Sequence, residues 1–265
     1  MPLIVWIIVF CLVGGVLSAL AAALFLVLKE PLRNRMLPHL VSFATGALLG
    51  AALLGLLPHA LAAPGMTDTH LIPMTVLFGL LGFFLLEKMV IWRHCHADHC
   101  ELHTPGEAHT PGKTGRQRSA GTLILVGDGL HNFLDGVLIA GAFLTDVHLG
   151  IVTSLAVAAH EIPQEVGDFA LLLHSGYRRG NALFYNVLTS LTTVIGGVLA
   201  YFALADLQHA LPYVLAVAAS SFIYIAVADL IPTLHQRIEV SATFQQIVLI
   251  GAGVLVIYFT HSTLH

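Results

Sequence analysis

Residues 3–28 read LIVWIIVFCLVGGVLSALAAALFLVL and hold no charged side chain. As a helix at 1.5 Å per residue, such a run is roughly 39 Å long, more than the ~30 Å needed to cross a hydrocarbon core. It is too long for the apolar core of a signal peptide, and no basic segment precedes it. It therefore reads as a retained span, with Cys11 a small buried hydrophobe inside it. Seven further stretches share this character: 38–62, 71–92, 120–145, 150–175, 181–204, 210–233 and 243–261. The spacing predicts an all-α membrane protein of eight transmembrane helices in one polytopic domain, 1–265.

Composition agrees. Charged residues make up 10% of the chain, against about 25% in a soluble domain, so the lipid bilayer is the expected solvent. Eleven Lys and Arg are too few to track a phosphate backbone, which argues against a nucleic-acid partner. Their positions are informative. Lys29, Arg33 and Arg35 follow the first run. Lys88, Arg93, Lys113, Arg116 and Arg118 surround the third connection. Arg178 and Arg179 follow the fifth run, and Arg237 follows the seventh. With eight spans all eleven fall on one side, which the positive-inside rule makes cytoplasmic, leaving both termini extracytoplasmic. The long third connection, 93–119, is expected to be a flexible cytosolic loop. It offers His94, Cys95, His96, His99, Cys100 and His103 as ligands, in a spacing unlike that of a rigid zinc finger.

The fourth and fifth runs carry polar residues that lipid does not tolerate without a reason. A charge at mid-bilayer costs about 2.5–3.5 kcal/mol on insertion scales. Residues 127–136 read GDGLHNFLDG, and 160–168 read HEIPQEVGD. His131 and Asp135 are four apart and share a helix face, with Asp128 one turn earlier and Asn132 alongside. His160 and Gln164 are also four apart, and Glu161, Glu165 and Asp168 form a neighbouring stripe. Pro163 cannot donate to the carbonyl of Ala159, so a kink is expected there. Imidazole nitrogen with carboxylate oxygen suits Zn2+ and other first-row divalent ions. A metal site between spans four and five is expected, built from His131, Asn132, Asp135, His160, Glu161 and Gln164. Taken singly, Asp128, Asp168 and Asp229 could equally bond a neighbouring helix, and a proton pathway could use the same residue types.

These two segments resemble the signatures of the ZIP family of zinc and iron transporters, the second in the branch that reads HExPHExGDFA. Leu56-Leu57-Pro58-His59, the His-rich loop, and residues 221–226 with Asp229 and Pro232 extend the resemblance along the chain. It implies metal influx to the cytoplasm through a centre of one or two ions, and members are often dimers. By motif position, His131, Asp135, His160 and Gln164 would make one site. Asn132, Asp135, Glu161 and Gln164 would make its neighbour, with Asp135 bridging. The sequence departs from the pattern twice. Gln164 stands where that branch has His, which predicts selectivity relaxed toward iron, manganese or cadmium. The sixth span, 181–204, holds no acidic residue, which weakens the second site.

Other candidates along the pathway are His59 at the outer end of span two, His174 at the inner end of span five, and Asp128, Glu165 and Asp168 between. Glu87 is expected to line an exit or to pair with Lys88 or Arg93. Two rival functions use the same residues. An intramembrane metallohydrolase would use His160-Glu161 as the first half of HExxH, but Gln164 replaces its second His. A metal sensor would bind without transport. The expectation is a transporter, not an enzyme, in a plasma or bacterial inner membrane, working by alternating access.

Overall fold

The computed structural model describes the backbone of residues 2–64, 68, 70–97, 113–237 and 239–264. Side chains are described for the same residues except 90–97, 113–120, 123, 263 and 264. The helices are α1 (Leu3–Leu26), α2 (Glu30–Leu61), α3 (Leu71–Ala97), α4 (Lys113–Thr145), α5 (Val147–His174), α6 (Arg179–Leu204), α7 (Gln208–Leu234) and α8 (Val240–Leu264). No strand occurs among the described residues.

Seven of these are long and apolar enough to cross a membrane; α5 is not among them. Its environment explains its polarity. Helices α1, α2, α4, α6 and α8 all pack against it. A helix wrapped by protein meets little lipid and can carry ionisable groups on the faces it buries. By contrast, α3 and α8 lie at the rim, with 6% and 11% of their apolar windows buried. Packing divides the helices into two sets. In one, α4 lies along α5 and α6, and α1 along both α5 and α6. In the other, α2 lies along α8 and α7, and α3 along α7. The sets meet where α5 touches α2 and α8 and where α4 touches α7 and, more lightly, α3.

Two connections fix the centre of the molecule. A single residue, Asp146, links α4 to α5. Its carboxylate caps α5 by accepting from the backbone N–H of His148 and Leu149 at 2.8 and 3.0 Å. So short a link forces α4 and α5 to run side by side in opposite directions. Gly176, at φ 85°, closes α5 in the left-handed conformation that glycine tolerates best. Helix α6 starts three residues later, at Arg179, after its N-cap residue Arg178.

The helix boundaries differ from the sequence reading in two places. Helix α2 starts at Glu30, not at 38. Pro31 takes the first-turn position, where its missing N–H costs nothing, and Pro38 lies inside the helix. Pro38 leaves the Asn34 carbonyl without a helical donor, and Arg237 supplies one, Nη2 to oxygen at 2.9 Å. The expected loop is also shorter. The helical backbone of α3 runs to Ala97 and that of α4 begins at Lys113, so His94, Cys95 and His96 fall on the last turn of α3. His99, Cys100 and His103 lie outside the described residues.

Helices α2 and α7 share a device. Each widens into a π turn, Ala51–Leu56 and Ile225–Leu230, just before a proline, Pro58 and Pro232. A proline ring clashes with the carbonyl four residues back, and here that carbonyl belongs to the widened turn, which relieves the clash. The α7 turn sits in the wall of a cavity of about 1290 Å³.

Candidate metal centre

On α4, Asp135 and His131 precede the Asp146 turn by 11 and 15 residues; on α5, His160 and Glu161 follow it by 14 and 15. At 1.5 Å per residue both pairs stand roughly 16–23 Å from the turn, so the antiparallel hairpin sets them at one level. The structure brings these four side chains together, with one donor atom of each within 4.8 Å of all the others. The imidazole Nε2 atoms of His131 and His160 are 3.3 Å apart. Nε2 of His131 is 3.3 Å from Glu161 Oε1 and 3.7 Å from Asp135 Oδ2. Nε2 of His160 is 3.3 Å from Asp135 Oδ2 and 3.6 Å from Glu161 Oε1.

These spacings can be compared with what an ion requires. Tetrahedral zinc with bonds of about 2.0–2.1 Å holds its donors roughly 3.3–3.4 Å apart. Five of the six donor separations, 3.3–3.7 Å, fall at or slightly above that, and the sixth, between Asp135 and Glu161, is within 4.8 Å. Protonation points the same way. Nδ1 of His160 lies 3.0 Å from the Ala156 carbonyl, an acceptor, so Nδ1 carries the hydrogen and Nε2 turns its lone pair to the centre. Asp135, His160 and Glu161 are at most 1% exposed, and all four carboxylate oxygens are buried without accepting a hydrogen bond. Buried acceptors facing acceptors call for a cation.

The centre lies at the side of the large cavity. His131 and His160 form part of its wall, while Asp135 and Glu161 sit behind them. Gln164, one turn beyond His160, lines the same cavity, as do Asp128 and Asp168. Helix α5 continues through Pro163, which also lines it. Phe222 of α7 packs against the His160 ring at 6.1 Å.

Asn132 and Glu165 are turned elsewhere. The Asn132 amide donates to Asp128 Oδ1 at 2.9 Å, and its oxygen accepts from the Thr193 hydroxyl at 2.8 Å. Glu165 accepts from the Ser190 hydroxyl at 2.7 Å, and its backbone carbonyl accepts from the Asn186 amide at 3.3 Å. Asn186, Ser190 and Thr193 form a buried polar stripe on α6 that braces the backs of α4 and α5. The signal of this stripe in the sequence is the 186-190-193 spacing of polar residues within the apolar sixth span, which holds no acid.

The outlying candidates are scattered. His174 is exposed at the end of α5 and does not line the cavity. His59 is half-buried at the far end of α2. Glu87 lines the cavity and accepts from the Tyr224 hydroxyl, rather than pairing with Lys88, which lies over the Phe84 ring. Asp229 lies in the cavity wall on the π turn of α7.

Comparison with known proteins adds an independent line. Residues 93–261 match the family model described as ZIP Zinc transporter. The chain is 32% identical over 236 residues to "Zinc transporter ZIP13" of Pongo abelii, covering 83% of this chain and 65% of that protein. It is 32% identical over 208 residues to "Zinc transporter YKE4" of Saccharomyces cerevisiae, covering 73% and 60%. It is 30% identical over 261 residues to "Zinc transporter ZIP13" of Homo sapiens, covering 83% and 69%. The matched regions thus span about two thirds of these relatives' lengths. All three are named as transporters, none as a hydrolase. With its apolar helices and this match, the chain is a multi-pass integral membrane protein, and it belongs to the ZIP zinc transporter family.

Proposed function

We propose that the chain carries divalent metal ions, zinc first among them, across a membrane into the cytoplasm. The observation that carries this reading is the four-donor centre of His131, Asp135, His160 and Glu161 beside a cavity that runs to one end of the helices. Asn34, in the first turns of α2, and Gln236 and Arg237, in the connection after α7, line the far part of that cavity, near Lys29, Arg33 and Arg35 in sequence. By the positive-inside rule the mouth is cytoplasmic, α5 counts as the eighth span, and both termini are extracytoplasmic. The state described is then open to the cytoplasm. Toward the other end, Phe143, Leu149, Val152 and Ala156 are buried at 2% exposure or less and close the path.

Loading from outside requires that plug to open. The simplest motion follows the packing. Helices α1, α4, α5 and α6 carry the centre as one body, and α2, α3, α7 and α8 stay as the frame. The two slide where α5 meets α2 and α8 and α4 meets α7 and α3, giving alternating access to a fixed site. One ion is favoured at the centre, because the Asn132 oxygen already accepts a hydrogen bond and the amide is held by Asp128. Proton competition sets the pH response. Both imidazoles must be neutral to ligate, so zinc binding weakens as pH falls.

Zinc uptake into proteoliposomes tests the reading. Uptake above empty vesicles is expected, and it is expected to vanish in a folded His131→Ala/His160→Ala variant. Flux that persists in that variant would place the site elsewhere. Gln164 offers a gain-of-function check. In Gln164→His, imidazole replaces a weaker amide donor, so the preference for Zn2+ over Mn2+ should rise by about tenfold, a difference of roughly 1.4 kcal/mol. Competition uptake with the two ions measures it.

A further inference from the structure

Helices α2 and α8 bring two more histidines together, and the centre described above does not use them. His59 and His261 have ring centroids 5.3 Å apart, inclined by 48°. Both are half-buried. Two imidazoles bound to one tetrahedral zinc at about 2.0–2.1 Å per bond place their ring centroids roughly 5.2 Å apart. The central pair, His131 and His160, stands at 5.5 Å. The pair on α2 and α8 therefore has the separation that a shared ion requires.

The surroundings of His59 orient it for this. Its Nδ1 lies 2.9 Å from the Gly55 carbonyl, an acceptor, so Nδ1 carries the hydrogen and Nε2 is left with the lone pair. His160 is held in the same way by Ala156. A backbone carbonyl fixing the tautomer and ring plane is the usual outer partner of a metal-ligating histidine. His261 lies beside the same residue: its Cδ2 is 3.9 Å from where a Cβ on Gly55 would stand, an ordinary contact.

Position gives the pair a use. Val41 lines the cavity on α2, and His59 is 18 residues further along, about 27 Å at helical rise. His59 and His261 thus lie at the end of the molecule away from the cavity mouth. We propose that His59 and His261 form a second, peripheral site for a zinc-class divalent ion on this opposite face. The two imidazoles bring no negative charge of their own, so the pair by itself holds an ion more loosely than a centre with two buried carboxylates. Imidazole selects zinc-class ions over Mg2+ and Ca2+. Its role in loading rests on the transport reading above; the existence of the site does not.

Equilibrium dialysis of zinc against the full chain in detergent, from micromolar to millimolar, separates the two. His59→Gln/His261→Gln should bind one ion fewer per chain than the parent at high zinc, while the tightest ion remains. An unchanged stoichiometry overturns the site. Should that variant not fold, His59→Cys/His261→Cys serves instead. Cd2+ should protect both introduced cysteines from maleimide at one and the same concentration, read peptide by peptide. Protection at two different concentrations, or none, overturns it. In proteoliposomes, the initial uptake rate of the Gln variant should fall roughly five- to tenfold further below the parent at limiting zinc than at saturating zinc. Equal deficits at both overturn the loading role. A parent chain that shows the stoichiometry difference but carries no zinc would defeat the transport reading and leave the peripheral site standing.

Discussion

Asp135→Asn is expected to lower zinc affinity at least 100-fold and to abolish uptake, while leaving the helical fold intact. Asp135 is 1% exposed, and neither of its carboxylate oxygens accepts a hydrogen bond. Its Oδ2 is 3.3 Å from His160 Nε2 and 3.7 Å from His131 Nε2, which places it among the donors rather than among the braces. Two imidazoles and two carboxylates neutralise a divalent ion; an amide leaves one positive charge buried without a counter-charge. A loss of 100-fold corresponds to about 2.7 kcal/mol, modest beside the several kcal/mol that an uncompensated buried charge costs. Thermal unfolding in detergent reads the effect directly. At zinc one hundred times the dissociation constant, a bound ion stabilises the parent by about 2.7 kcal/mol. At the same zinc concentration the gain in Asp135→Asn should fall to about 0.4 kcal/mol or less, and the rise in Tm should shrink accordingly. A zinc-dependent rise of equal size would remove Asp135 from the ligand set.

Asn132→Ala makes the contrasting case. Its amide spans Asp128 and Thr193, so the change breaks two buried hydrogen bonds and strands their partners. Each stranded group costs about 1–3 kcal/mol. Stability should therefore drop with or without zinc, and the zinc-dependent shift should survive. The opposite pattern would make Asn132 a ligand, as motif position alone suggests.

This contrast shows what the sequence could and could not reveal. His131, Asp135, His160 and Glu161 were legible because lipid makes ionisable residues conspicuous and the helix period assigns them a face. The apolar runs were legible for a related reason: in a bilayer the backbone must satisfy itself within helices, so hydropathy tracks structure closely. Asn132, read as a metal ligand, and Glu165, read as a pathway candidate, have hydroxyl partners, Thr193 and Ser190, that belong to a different helix and are cheap to place in a span. Such hydroxyls also bond their own helix, as Ser190 does to the Asn186 carbonyl, so they do not stand out. The start of α2 was hidden similarly. Pro38 reads as a beginning unless one knows that Arg237, some 200 residues on, satisfies the carbonyl it frees. The same applies to Glu87, whose described partner, Tyr224, lies 137 residues on.

The α4–α6 contact yields the largest expected loss of stability. A Cβ placed on Gly136 would run into the Thr193 carbonyl oxygen, and one on Gly196 into the carbonyl oxygen of Phe133. Each glycine faces the other helix's backbone, so no side-chain rotamer can relieve the clash, and the helices must separate. Small residues at such crossings let helix backbones meet where lipid supplies no hydrophobic drive. Overpacking typically costs about 1–3 kcal/mol where side chains can yield, and more is expected against rigid backbone. Gly136→Leu should therefore prevent recovery of folded protein, and Gly136→Ala should lower Tm by several degrees. The damage reaches the centre through geometry. Gly136 adjoins Asp135, and Thr193, the residue it would push away, holds Asn132 in place. Gly136→Ala should thus weaken zinc binding as well as stability, although residue 136 touches no ligand atom. Gly129→Ala is the internal control: it lies on the same helix, and its nearest neighbour would be the Thr189 methyl at 3.6 Å, ordinary contact. If Gly129→Ala and Gly136→Ala lower Tm equally, helix propensity accounts for both, and the close approach of α4 and α6 does not hold the centre together.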